Sequence, residues 1–516
     1  METYAGEPVA ASEPAPLGRI GRLLVLAVVI TGTFMAVLDM TIVNVALPNI
    51  MTSFGVNVKV VQWISTAFFI ATAVCMPLTG WLGRRIGLGR LFLLELGVFT
   101  LGSFLCTIAW TIDGLIFARV VQALGAGAIM PSSIAIITDT FPPGERGRAL
   151  GVWGIGFMVG PAIGPTLGGY LTDWFTWRSI FAINLPVGAV AFLFALVALR
   201  PGSMERGLPF DWKGYGALAV FLIAGLLTLE NGQDEGWTSG VILLGAGLTG
   251  AALLLFVALV WDAPHAVMPL RLFSSSDFSL SVLLGFIRSS AMFGPFFLLP
   301  LFLQNVQGRD TIDTGLLMVP TALSVAVSMP LAGVLTDRFG ARWPTVAGFL
   351  IAAYAQYLFT QMDPLVGRWA VIYPQLWRGL GVALIMTPVN VAAMNSVSRT
   401  DAGVASWMVN LTQSVGGAAT IAVLSTLLHR HTIAQMDLLG IGAALHAPPP
   451  QPLVHRALAM GYSHLDSGSA ASAVLLRQVS QSATTLAFQQ VFWLLALVTL
   501  LGLVPALLLS RRRSGG

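Results

Sequence analysis

Two residues in this chain stand where a charge meets hydrocarbon. Asp39 lies late in an apolar run at 22–47, and Arg119 lies within another at 113–138. A charged side chain at bilayer depth costs at least ~2.5–3.5 kcal/mol on insertion scales, so such residues are functional candidates by default. Burial disfavours a carboxylate, while a guanidinium, which keeps its proton, favours it. A carboxyl between those influences can load a proton from one side and release it to the other. The plainer readings are a helix-end carboxylate wetted near Pro48 and an arginine that bonds backbone carbonyls. Glu230 sits beside Asn231, Asp234 and Glu235 at the end of a run. It reads first as a wet cap, with proton coupling as the sharper alternative. Glu95 falls about one turn from a basic loop and could pair with Arg90. Arg288 and Arg378 lie deeper, where each could bind an anionic substrate group or satisfy carbonyls.

A second set of residues suits ligand contact. Trp63, Phe69, Trp153, Phe157 and Phe293 supply aromatic walls, which hold flat lipophilic molecules with little directional demand. Asn44, Gln122, Asn410 and Gln413 add polar contacts. His429-Arg430-His431 has no further ligand at compatible spacing, so no metal site is expected.

The elements that must position these groups follow from composition. Of 516 residues, 56% are hydrophobic and 10% charged, against roughly 25% charged in an ordinary soluble protein. Hydrocarbon is the main solvent. Apolar runs fall near 22–47, 60–82, 91–110, 113–138, 148–171, 179–199, 213–230, 239–261, 279–304, 314–335, 344–361, 369–392, 404–428 and 489–510, which predicts fourteen spanning helices. Only Lys59 and Lys213 are lysines and neither follows a glycine, which excludes a phosphate-cradling P-loop. No H-E-x-x-H or clustered His/Asp/Ser lies within the spans, so a transporter is expected and not an enzyme. Seventeen of the 27 basic residues fall on one set of connections. By the positive-inside tendency this places both termini in the cytoplasm.

The chain also repeats itself. Gly80-Trp81-Leu82-Gly83-Arg84-Arg85-Ile86-Gly87 returns 253 residues later as Gly333-Val334-Leu335-Thr336-Asp337-Arg338-Phe339-Gly340. Arg146-Gly147-Arg148 and Arg399-Thr400-Asp401 share that offset, and Arg119 to Gly125 has a looser echo at Arg378 to Gly381. The prediction is an all-α membrane protein of two parallel six-helix bundles, at 19–200 and 276–510. A linker at 201–275 inserts two further spans, and short tails lie at 1–18 and 511–516. Parallel repeats of this kind are a transporter architecture. The stretch 429–488 is expected as one long outer connection, either a solvated loop or a docking surface for a partner, whose second part, Ala471 to Phe488, could form an amphipathic helix.

These loops resemble the major facilitator superfamily signature. Leu38-Asp39-Met40-Thr41 to Pro48, the Gly160-Pro161…Gly164-Pro165…Gly168-Gly169 series and Trp177-Arg178 to Pro186 resemble the fourteen-span drug:proton antiporters of the EmrB/QacA type. The long segment before the last span is most similar to the EmrB-like branch. Two positions depart from the pattern: Arg84 stands where the signature has an acid, and Ala123 where it has a glycine.

The resemblance implies proton-coupled export of lipophilic or amphipathic small molecules across the bacterial inner membrane, with protons as coupling ion and no other cofactor. A periplasmic adaptor and an outer-membrane channel are implied partners, alongside the lipid bilayer. A dedicated exporter of one metabolite, fatty acid or siderophore class is the alternative. Gating is expected from the two loops (Gly80, Arg84, Arg85, Gly87, Arg90; Gly333, Asp337, Arg338, Gly340). It is expected too from the glycine face Gly156, Gly160, Gly164 and Gly168, bent at Pro161 and Pro165.

Overall fold

The computed structural model describes residues 18–510, apart from 203, 206, 262, 264, 265, 399–400 and 440–463; the side chains of 162, 165, 311–312 and 464–476 are also outside the description. The helices are α1 Arg19–Phe54, α2 Val58–Cys75, α3 Leu78–Ile86, α4 Leu88–Thr107, α5 Ile112–Thr140, α6 Arg146–Trp174, α7 Ser179–Ala182, α8 Asn184–Ala198 and α9 Trp212–Glu235. They continue as α10 Gly240–Val260, α11 Ser276–Asn305, α12 Thr311–Phe339, α13 Arg342–Phe359, α14 Arg368–Asn395, α15 Ala402–Leu438, α16 His464–Leu501 and α17 Leu503–Leu508. Among the described residues, twelve helices are individually long and apolar enough to cross a bilayer. The bent α6 makes a thirteenth. With α13 packed against α14 and α16, the arrangement is consistent with fourteen.

Local chemistry sets several helix starts. Asn57 accepts from the Val60 amide at 3.0 Å, and Thr111 from the Gly114 amide at 3.1 Å. Each satisfies one of the amide donors left over at a helix N-terminus. The same helix pairs pack in both halves of the sequence. α1 on α6, α4 on α5 and α2 on α5 correspond to α11 on α15, α13 on α14 and α12 on α14. The inserted α9 and α10 pack on each other, and α9 also touches α2 and α15. Its end binds both: Lys59 of α2 reaches Glu235, and Trp237 Nε1 donates to Thr426 Oγ1 at 2.8 Å.

The stretch 429–488 is helical at Ala471 to Phe488, as the spacing there allowed, and helix extends beyond that segment. α15 runs on to Leu438 and α16 begins at His464, so helix occupies most of it. At ~1.5 Å per residue each of these helices is roughly 55 Å long, well beyond a ~30 Å hydrocarbon core. Apolar runs mark where a helix is in lipid, and say nothing about where it continues in water. Pro448 to Pro450 lie outside the described residues.

Candidate functional site

The strongest polar cluster is buried in the first bundle, where α1, α4, α5 and α8 meet. Asp39 on α1 and Arg119 on α5 are both fully enclosed and form an ion pair through Arg119 Nη1. Asp39 Oδ1 also accepts from Gln122 Nε2 at 2.9 Å and from Asn184 Nδ2 at 2.8 Å. Gln122 Nε2 donates onward to Ser103 Oγ at 2.7 Å, while its Oε1 accepts from Arg119 Nη1 at 2.6 Å. The Arg119 Nε donates to the Ile64 carbonyl at 3.3 Å, and its guanidinium lies 3.8 Å from the Phe68 ring centroid. Such a cation–π contact is worth up to about 2 kcal/mol when desolvated. The helices can come this close because Gly102 on α4 carries no side chain. A Cβ there would sit 2.3 Å from the Gln122 Cα.

The sequence grouped Gln122 with the ligand cavity; it is 0% exposed and belongs to the acid's own network. Asn184 joins it from the Trp177-to-Pro186 motif, and Ser103 without having been singled out. Removing one donor from a buried acceptor costs ~1–3 kcal/mol. Asn184→Ala is therefore expected to lower the melting temperature of the purified protein, measured by thermal unfolding in detergent.

Glu230 lies apart from this cluster. It accepts from Thr66 on α2, two residues beyond the Ile64 carbonyl that holds Arg119. Glu95 is buried and accepts from Ser132 Oγ at 2.6 Å, away from Arg90.

The second feature is the joint between bundles at the arginine-rich end. One face of α6 meets α12: a Cβ on Gly333 would fall 2.2 Å from the Gly147 carbonyl oxygen, and one on Gly151 2.5 Å from the Met329 carbonyl oxygen. Asp337 of α12 then accepts from the Gly147 and Arg148 amides at 2.9 and 3.1 Å. An acid of one bundle thus caps the first turn of a helix in the other, where the helix dipole favours negative charge. Arg146 Nη1 donates to Asn395 Oδ1 of α14 at 2.6 Å beside this joint, and Ser406 Oγ of α15 to the Pro131 carbonyl of α5 at 2.8 Å in the other contact between the bundles.

The opposite face of α6 carries Gly156, Gly160, Gly164 and Gly168. Cβ atoms there would lie 2.2–3.0 Å from α1 atoms of Ile30, Leu38, Thr41 and Ile42. α6 is therefore held between the helix bearing Asp39 and the helix bearing Asp337. A bend of 44° falls between its Pro143–Pro161 and Thr166–Trp174 parts; the Pro165 side chain is outside the described residues.

The first loop behaves differently from its repeat. Arg84, which replaces the expected acid, pairs with Glu205 of the linker at 2.8 Å, and Arg85 lies over Trp81 at 4.7 Å. Arg90 contacts Met204. Asp401, the residue before α15, also attracts Arg84 and pairs with Arg271 at 2.9 Å. Asp337 faces Arg148, and the repeat offset maps these onto Arg84 and Asp401, so the charges are exchanged between the two joints. Gly87 and Gly340 turn each loop with φ of 89° and 79°, a region that favours glycine. Arg338 lies 5.5 Å from the Phe339 ring centroid.

The Arg84 guanidinium beside Glu205 holds that carboxyl below the usual carboxylate range. A lowered carboxyl contributes stability above its unfolded value, and loses it as pH falls through the folded one. Glu205 is 42% exposed, so the contribution is at most ~1 kcal/mol. Arg84→Gln should lower the melting temperature slightly at neutral pH and not at all well below the carboxylate range.

The expected cavity residues separate. Trp153 is buried, donates to Thr33 Oγ1 at 2.9 Å and stacks on Phe157 at 5.9 Å. Phe293 is half-buried, and Asn410 is buried and donates to the Ser406 carbonyl at 2.9 Å. Asn44, Trp63 and Phe69 are exposed, with Asn44 accepting from Ser65 at 3.3 Å. Arg288 and Gln413 line a narrow crevice in the second bundle with Ala291, Met292, Val382, Ile385 and Met386. Arg378 is buried on α14.

Comparison with known proteins completes the description. The Major Facilitator Superfamily profile matches residues 29–421. The chain is 31% identical over 510 residues to the multidrug resistance protein B homolog of Mycobacterium tuberculosis, covering 96% of this chain and 91% of that protein. It is 28% identical over 491 residues to the multidrug export protein EmrB of Escherichia coli K12, covering 94% and 95%. The solved proton:xylose symporter XylE superposes with a TM-score of 0.60 at 12% identity, over 93% of this chain and 95% of that one; this is a likeness of fold.

Proposed function

The chain belongs to the Major Facilitator Superfamily, in its EmrB-like branch of drug:proton antiporters, and from that premise we propose that it exports lipophilic and amphipathic compounds across the inner membrane in exchange for protons. The observation that carries the reading is the fully enclosed Asp39–Arg119 pair. A buried pair stripped of one partner leaves an uncompensated charge costing ~3–5 kcal/mol. Protonation of Asp39 therefore cannot leave its surroundings unchanged. Arg119 is then left to the acceptors it already bonds, the Ile64 carbonyl and Gln122, and α1, released from the ion pair, shifts against α6.

α6 carries that shift to the joint with α12. With the arginine-rich end in the cytoplasm, as basic residues near span ends favour, the closed joint corresponds to an outward-facing state. Parting of Asp337 from the α6 amides opens the inner side. Substrate binding and proton loading at Asp39 belong to different arrangements of the bundles, so each ligand shifts the population the other requires. The helical extension of α15 and α16 past the bilayer supports docking of a periplasmic adaptor, which would pass substrate to an outer-membrane channel.

Proteoliposomes with an acidic lumen test this. A fluorescent lipophilic substrate should accumulate inside and leave when ammonium collapses the gradient. Uptake indifferent to the gradient would overturn antiport.

A further inference from the structure

One acid of the first bundle takes no part in the Asp39 network. Glu95 on α4 is 3% exposed, and Ser132 Oγ of α5 donates to its Oε1 at 2.6 Å, while its Oε2 is buried without a partner. The two helices come this close because Gly125 carries no side chain; a Cβ there would fall 2.5 Å from the Glu95 carbonyl oxygen. The elements around Glu95 supply no cation. α4 packs on α3, α5, α7 and α8. On α3, Arg84 pairs with Glu205 and Arg85 lies over Trp81. On α5, Arg119 pairs with Asp39, and Asp113 and Asp139 lie near the two ends. α7 and α8 carry no ionisable side chain. Arg90 of α4 itself and Arg200 of the linker are exposed. α1, whose Gly32 faces Phe92 and Leu96, has Arg22 paired with Glu145. These surroundings match neither form of the carboxyl. The ionised form lacks a counter-charge, and an O–H at Oε2 would lack an acceptor. A buried polar group short of partners points to use in another arrangement of the chain.

The position along the bundle says which use. Ser132 follows Gln122 on α5 by roughly 15 Å, toward the arginine-rich end, and Glu95 lies about 10 Å from that end of α4. Ser132 adjoins Pro131, whose carbonyl accepts from Ser406 Oγ of α15 at 2.8 Å. At the adjoining contact of α3 with α15, Thr79 Oγ1 and Trp407 Nε1 are also buried without partners. The contact that closes the inner half of the first bundle thus leaves polar groups on α3, α4 and α15 unserved.

We propose that Glu95 is the inner proton station of the first bundle, taking the proton that Asp39 gives up and passing it to cytoplasmic water once α15 withdraws from α5. The inference rests on the antiport reading and adds a residue to its proton path. With the inner side open, water reaches the space between the two carboxyls. The Asp39 O–H breaks, its carboxylate returns to Arg119, and an O–H forms at Glu95 Oε2 through that water. This bond breaks in turn as the proton passes to the cytoplasm, which leaves the carboxylate ready for the next cycle. The proton exchanged is still that of Asp39, so Glu95 sets the rate of exchange and not the accumulation reached.

Proteoliposomes with an acidic lumen and a fluorescent lipophilic substrate test it. Glu95→Gln keeps an acceptor for Ser132 and cannot carry a proton; Glu95→Asp can. A positioned proton-transfer group typically contributes ~10²-fold or more. The Gln variant should therefore slow gradient-driven uptake at least ten-fold, yet reach the wild-type accumulation ratio in the end. Exchange of labelled for unlabelled substrate without a gradient should stay within about two-fold of wild type, because it needs bundle motion and no proton release. The Asp variant should recover most of the lost rate. Uptake at the wild-type rate in the Gln variant would overturn the proposal. So would equal slowing of uptake and exchange, equal defects in both variants, or an accumulation ratio in the Gln variant that stays flat against the gradient. Wild-type uptake indifferent to the gradient sinks antiport and the station together; gradient-driven wild-type uptake with an unimpaired Gln variant keeps antiport and sinks the station alone.

Discussion

In proteoliposomes bearing a pH gradient, the Asp39→Asn variant is expected to equilibrate substrate across the membrane and never to concentrate it. The asparagine oxygen can still accept from Gln122 and Asn184, whose amides lie 2.9 and 2.8 Å from Asp39 Oδ1. It cannot take up a proton or neutralise Arg119. One proton exchanged per substrate is worth about 1.4 kcal/mol per pH unit, or roughly ten-fold accumulation. The wild-type ratio should rise with the gradient at that slope, and the variant's should stay flat. Exchange of labelled for unlabelled substrate without a gradient should persist. A buried guanidinium without its carboxylate destabilises the fold, so Asp39→Asn with Arg119→Gln separates folding from coupling. Both variants must be flat against the gradient, whatever their melting temperatures.

The second large effect is expected at the joint between bundles. A methyl group on residue 333 would fall 2.2 Å from the Gly147 carbonyl oxygen and 3.0 Å from the Arg148 Cα. Both obstacles are backbone, which cannot swing aside as a side chain can. Gly333→Ala should therefore hold the arginine-rich ends of α6 and α12 apart, lengthening the distance between spin labels placed there. It should also reduce transport at least ten-fold, since ~1.4 kcal/mol against closure is enough. Gly169→Ala, on the facing helix α6 with nothing within 4 Å, should be silent in both measurements.

Much of this arrangement was legible in the chain itself. Asp39 and Arg119 are visible as charges because hydrocarbon makes any charge conspicuous. The 253-residue offset ties the two gate loops together before any contact is known. Gln122 carried a usable signal, lying three residues from Arg119 and so on the same helical face. Asn184 was marked only as part of the Trp177-to-Pro186 motif, with no partner indicated, and Ser103 not at all: neutral polar residues are tolerated at many positions of a membrane helix, and their contacts cross from α8 and α4. The pairing of Arg84 with Glu205 was hidden for a similar reason, because the carboxylate comes from the inserted linker and not from the opposite bundle.

The glycine face of α6 was visible as spacing, but not its partner. Four glycines at intervals of four mark a face that admits another helix closely; only the packing tells that α1 fills it while Gly147 and Gly151 meet α12. The wall residues divided because an aromatic at helical spacing serves lipid, core and cavity equally well. Trp153 became a buried structural contact to Thr33, whereas Trp63 and Phe69 remain at the surface.

The charge exchanged between the two joints also bears on how the bundles part. Asp337 holds the α6 amides in one joint, whereas in the other Arg84 is attracted to Asp401 beside α15. The amide bonds depend on helix position, and the Arg84 attraction on charge alone. A Cβ on Gly333 would meet backbone at 2.2 Å, whereas one on Gly80 would meet the Val404 side chain at 2.7 Å, which makes Gly333 the more sensitive site.

Proton release on adding substrate to unbuffered detergent-solubilised protein tests the coupling most directly. Wild type should acidify the solution in proportion to substrate bound, and Asp39→Asn should bind substrate without any change. Equal release from the variant would show that the exchanged proton resides elsewhere in the molecule.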